Sequence, residues 1–162
     1  MPSVAVVAGG LAAGILDIVY AFILANVRGG TPLQVLQSIA SGLLGGEAYK
    51  AGVAAAALGL ALHLGITIAA AAIFVVAGRR SALIRRHYIL FGLAYGILVY
   101  LVMNFAVLPL SAVPFKIKYT AAVIVQGFVS HALLVGLPIA WCAHRFAFAR
   151  SHDAALITRS RT

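Results

Sequence analysis

The chain has one cysteine, one tryptophan and three acidic residues among 162, and charged residues make up only 9% of it. A lone Cys142 excludes an intramolecular disulfide and a thiolate metal cluster, and at the end of an apolar run it reads as packing. With 64% hydrophobic residues and a mean hydropathy of +1.08, the shortage of charge excludes a soluble core wrapped in polar surface. Enzyme fingerprints are missing too: no GxSxG, Walker A, HExxH or dinucleotide-binding pattern occurs. Ser38 and Ser41 read as polar-face residues of a loop helix rather than nucleophiles, so no enzyme is expected. The deficit of acids leaves a net charge of +9. Its twelve Lys and Arg lie outside the apolar runs, which fits membrane topology and anionic headgroups rather than nucleic acid.

What is present is four long apolar runs. Residues 51–78 are the most telling, 28 residues whose only strongly polar side chain is His63. That exceeds the roughly 20 residues an α-helix needs to cross ~30 Å of hydrocarbon. Gly52, Ala56, Gly59 and His63 recur every three or four positions and share one face, a pattern that lets a second helix come close. Residues 4–27, 88–108 and 120–143 are also long enough to span. The first begins almost at the initiator with no Lys or Arg before it and carries Asp17 centrally, so it is expected to be an uncleaved helix. Gly10 and Gly14, and again Gly92 and Gly96, stand at GxxxG spacing.

Between the first two spans, Thr31-Pro32 is a helix start: a hydroxyl cap followed by proline at the first helical position. Leu33, Leu36, Ile39, Ala40, Leu43 and Leu44 then recur at helical spacing until Gly45-Gly46, predicting an amphipathic helix over 32–44 that docks on the bundle or the membrane interface through its apolar face, Leu36, Ile39 and Leu43 foremost. The fold expected is therefore all-α: a single four-helix transmembrane domain over 1–146, followed by a basic tail at 147–162. Eight Lys and Arg fall in the loop after the second span and in the tail, and four in the opposite connections. That asymmetry predicts both termini in the cytoplasm and the amphipathic helix outside. The partner expected is the lipid bilayer, with homo-oligomers forming through Gly and Ala faces.

The strings at 36–45 (LQSIASGLLG), 58–63 (LGLALH), 95–114 (YGILVYLVMNFAVLPLSAVP) and 131–141 (HALLVGLPIAW) resemble an uncharacterised family of small four-helix bacterial inner-membrane proteins. The motifs are specific in combination and cover most of the chain before the tail. Relatives often carry an aromatic after the histidine of the second helix, where this chain has Leu64. The resemblance implies four helices and a bacterial inner membrane, and no reaction.

Function, if legible, lies in the intramembrane polar residues. Asp17, His63 and His131 each fall within two residues of their helix midpoints, so three helices supply one level within about 3 Å of the midplane. Asn104 and Gln126 lie about 8–9 Å towards the side of the amphipathic helix, with Tyr20 and Tyr100 between. An ionisable group at mid-membrane costs about 2.5–3.5 kcal/mol, so Asp17 needs a partner or a proton, and either histidine is an obvious partner. Four readings follow. The cluster is an interhelical hydrogen-bond lock in a structural or accessory membrane component. It is a path for protons or small solutes, lined further out by Tyr20, Tyr100, Asn104 and Gln126. His63 and His131 are the axial ligands of a b-type haem in an electron carrier. Two histidines and Asp17 hold zinc or copper, although no HxxxH spacing supports it. No cofactor is expected on the first two readings.

Overall fold

Helix α1 (Pro2–Val27) opens with proline at its first turn, where the missing N–H has no intrahelical acceptor to lose. The structure, a computed structural model, describes residues 1–116 and 118–148. It continues with α2 (Pro32–Leu44), a short 3₁₀ turn (Gly45–Tyr49), α3 (Gly52–Arg80) and a five-residue α4 (Ala82–Arg86). The last two long helices are α5 (Tyr88–Leu110) and α6 (Ala121–Phe148). No strand occurs among the described residues. Four helices, α1, α3, α5 and α6, are long and apolar enough to cross a membrane, and the chain is a multi-pass membrane protein. The expected spans hold in number and place. Helix α1 starts two residues earlier and α3 one later, while α3, α5 and α6 run on by two, two and five residues. Most of the tail lies outside the described residues.

Packing follows the logic of lipid rather than of water. Because hydrocarbon solvates large apolar side chains, helix interfaces select for close approach. Leu16, Ile23, Ile73, Leu90 and Leu98 face outward, while Gly10, Gly14, Gly59, Gly92 and Gly96 are buried. A Cβ on Gly10 would stand 2.5 Å from Ile68 Cα, and one on Gly14 would stand 2.7 Å from Thr67 Oγ1, so the α1 GxxxG step seats α3. Gly92 and Gly96 receive α6 in the same way, at Gly136 and Ala132. Gly59 lies against the Leu36 carbonyl of α2. Gly52 departs from the face expected for it: with φ of +58° it forms the turn into α3, and its carbonyl accepts from Gln37 Nε2 at 3.2 Å.

At one end of the bundle the packing is solid. Ala5, Phe74, Val75, Ile139, Ala143 and Phe148 form a buried cluster there, and Tyr95 donates to the Ala70 carbonyl at 2.8 Å to tie α5 to α3. Cys142 is buried and faces Gly9. Arg85 closes the same end by donating to the Gly78 and Arg79 carbonyls at 2.9 and 3.0 Å, which covers acceptors at the C-terminus of α3.

Helix α2 begins as expected, with the Thr31–Gln34 capping box complete. Its docking face follows the expectation in part. Ala40 is buried and Leu36 and Ile39 are half-buried, but Gln37 and Ser41 are buried with them, whereas Leu33, Leu43 and Leu44 are exposed. In lipid an apolar side chain gains nothing by being covered, so the face with the small and polar residues turns to the bundle and Leu33, Leu43 and Leu44 turn out. Ala40 and Ser41 are both fully buried. Replacing both with Leu is expected to overpack that interface by about 1–3 kcal/mol per site and open the 31–50 segment to protease, while Leu43→Asp leaves protection unchanged. Proteolysis of intact vesicles checks this; loss of protection in the Leu43 variant would restore the original docking face.

Candidate functional site

Away from the packed end, α1 and α6 separate. Two irregularities lie in this part of the bundle. Helix α5 contains a wide π segment at Met103–Val107 and α6 one at His131–Gly136, each followed immediately by Leu-Pro; α6 has a further π segment, His144–Phe148, at the packed end. Pro109 and Pro138 have no N–H to donate four residues back, and their rings crowd those carbonyls. A π turn relieves the crowding and shifts the helix phase, and such turns gather at functional positions. Asn104 lies in the first π segment and His131 opens the second.

A cavity of about 230 Å³ lies between α1, α5 and α6. Asp17, Tyr20 and Arg28 come from α1 and its C-cap, Tyr100 and Asn104 from α5, and Gln126, Ser130 and His131 from α6. Six of the seven residues singled out in the sequence therefore share one space. Sequence reasoning missed Arg28 and Ser130. Arg28 had been counted only as a loop charge, yet it follows Asp17 by eleven residues, three helical turns, and so stands on the same face of α1.

His63 is the exception. Its Nε2 donates to the Gly14 carbonyl at 2.9 Å, across the α1–α3 interface, and it does not line the cavity. Asp17 and His63 both lie within electrostatic range of His131, and no bond joins any two of the three. The expected Asp17–histidine hydrogen bond does not form. Asp17 is half-buried and makes no hydrogen bond or ion pair among the described residues. His131 Nδ1 donates back to the Gly127 carbonyl at 3.1 Å, which leaves Nε2 as the free ring nitrogen.

Tyr100 anchors the wall. Its ring lies over Gly127, where a Cβ would collide with it, and meets His131 edge-on at 5.2 Å. Only 5% of the residue is exposed, and its buried hydroxyl has no hydrogen-bond partner. Such an orphan costs about 1–3 kcal/mol unless something occupies the space beside it. Asn104 donates to the Tyr100 carbonyl at 2.9 Å and receives the Tyr119 hydroxyl on its own carbonyl at 3.2 Å. Asn104 also lines a second cavity of about 430 Å³ with Phe105, Pro109, Lys116 and Tyr119. At the mouth of the first, Arg28 Nη2 donates to Gln126 Oε1 at 3.3 Å.

This arrangement does not suit a bis-histidine haem, because His63 is engaged with Gly14 and the two imidazoles line no common space. Nor does it suit zinc or copper on Asp17 and two histidines: among the described residues no three His, Cys, Asp or Glu side chains converge on a metal position. The chemistry available is that of a polar, half-lined chamber with one carboxylate, one imidazole and several neutral hydrogen-bonding groups. Comparison with known protein families, with curated proteins and with solved structures finds no match.

Proposed function

We propose that this is a bacterial inner-membrane protein that passes protons or small solutes through the Asp17–His131 cavity and catalyses no covalent reaction. The observation that carries the reading is the convergence of Asp17, Tyr20, Tyr100, Asn104, Gln126 and His131 on one chamber. A structural lock would need these groups to satisfy one another, yet the Asp17 carboxylate and the Tyr100 hydroxyl have no protein partner. Groups of that kind at mid-membrane mark ion and substrate paths. The chamber carries several polar groups on an otherwise apolar wall and is wide enough for water, whose share of liquid volume is about 30 Å³.

The bacterial setting rests on the family resemblance, and the orientation on the eight-to-four distribution of Lys and Arg. Both termini are then cytoplasmic, and α2 and the mouth at Arg28 face outward. A C-terminal phosphatase fusion should be inactive and a C-terminal fluorescent fusion bright; the opposite pattern overturns the orientation. Self-association through glycine faces would have to use other positions, because Gly10, Gly14, Gly59, Gly92 and Gly96 are filled by neighbours within the chain.

The function itself is tested in liposomes holding a pH-sensitive dye. After an imposed pH step, or with small solutes added outside, vesicles with protein should equilibrate faster than protein-free vesicles. Equal rates for protons and for every solute tried would leave the cavity as a structural feature of an accessory membrane component.

A further inference from the structure

The cavity carries one anion and one cation, and they are kept apart. Asp17, Ala21, Leu24 and Arg28 follow one another at the spacing of a single helix face, so the Cα atoms of Asp17 and Arg28 are separated by about 16 Å of rise along α1. Asp17 lies three turns deeper along α1 than Arg28, which caps the helix. Among the described residues no ion pair joins them: Arg28 is held by Gln126, and Asp17 by nothing. In the same cavity wall the buried Tyr100 hydroxyl is also unpartnered. The inner end therefore lacks a hydrogen-bonding cationic group, and the outer end offers a guanidinium with donors to spare.

Building on the permeation reading, we propose that the cavity binds a small zwitterion with a terminal ammonium and a terminal carboxylate, ammonium end innermost. An ammonium donates three hydrogen bonds, and the unpartnered Asp17 carboxylate can accept them, with Tyr20 and Tyr100 lining the same cavity. The carboxylate meets Arg28, whose planar fork matches it. A simple cation would have to remain beside the positive charge at the mouth, and a simple anion would meet Asp17 at the inner end. Only a molecule with both charges in this order is complemented at both ends. At about 230 Å³ the space is below the ~300–1,000 Å³ of sites for drug-sized ligands. A straight-chain ω-amino acid is of the right class.

The test uses the purified full chain in detergent, with melting temperature followed during titration with 3-aminopropanoate, 4-aminobutanoate, 5-aminopentanoate and 6-aminohexanoate. Butylamine and butanoate are the single-charge controls. A ligand that binds only the folded state raises the midpoint in a saturable way. One chain length should bind best, about tenfold tighter than either control, as loss of a charge-assisted contact implies. Asp17→Asn, which keeps the shape of the side chain, and Arg28→Gln, which removes the guanidinium, should each weaken that binding about tenfold. The proposal is overturned if butylamine or butanoate matches the best zwitterion, or if no zwitterion shifts the midpoint of the wild type. The wild-type series decides the matter even where a variant fails to fold. Flux that depends on Asp17 without zwitterion binding would sink this proposal and spare the permeation reading, and binding without flux of any solute would do the reverse.

Discussion

Gly136→Val is expected to abolish accumulation of the folded protein. Gly136 is the point where α5 and α6 touch backbone to backbone: a Cβ there would collide with the Gly92 carbonyl oxygen and stand 2.7 Å from the Gly96 amide nitrogen. Neither atom can turn aside as a flexible side chain would. The helices must part, and with them go the contacts that position Tyr100 over Gly127 and His131. Overpacking of a well-fitted interface costs about 1–3 kcal/mol even when side chains can yield, and here backbone would have to move. Against a folding free energy of about 5–15 kcal/mol, that is a large loss. Size-exclusion profiles after mild heating in detergent measure it. Gly65→Val serves as the control, because nothing lies within 4 Å of a Cβ at that position. A Gly136 variant that melts like the control would mean that α5 and α6 do not cross here.

Asp17→Asn is expected to bring proton or solute flux down to the rate of protein-free vesicles, a loss of tenfold or more, with little change in melting. The two outcomes are separable because Asp17 has no hydrogen bond or ion pair to lose among the described residues, so an amide of the same shape fits the site. What the amide lacks is a titratable proton and a charge. The carboxylate is the one acidic side chain within the spans. His63→Gln is the matched comparison: it keeps a donor for the Gly14 carbonyl and stands off the cavity, so flux and fold should both persist. If Asp17→Asn lowers melting as much as flux, the carboxylate is structural. If flux survives the replacement, the permeation reading fails, whatever the cavity holds.

Much of the site was legible before any coordinates. Depth along a helix is a matter of counting at 1.5 Å per residue, which is why Asp17 and His131 could be assigned to one level and Tyr20, Tyr100, Asn104 and Gln126 to one half of the bundle. Counting gives height and says nothing of azimuth. His63 has the right height but faces α1 from its far side, and only the crossing of α1 on α3 at Gly10 and Gly14 decides that. Arg28 could have been found by extending the face of Asp17 three turns to the helix end.

The sequence by itself determined the number of spans, their approximate ends, the start and stop of α2 and the close contacts at Gly10, Gly14, Gly59, Gly92 and Gly96, though not those at Gly127 and Gly136. These depend on local quantities: apolar length against bilayer thickness, capping chemistry, and the absence of a Cβ. The tertiary structure alone decided which face of α2 docks, because a pattern of leucines marks an amphipathic helix without saying whether its apolar side meets protein or lipid. It also decided that Leu-Pro in α5 and α6 widens each helix ahead of the proline, and that the separated half of the bundle becomes a chamber. Asp17 and Tyr100 line that chamber without hydrogen-bond partners among the described residues, on helices whose glycine contacts fix how closely the backbones approach.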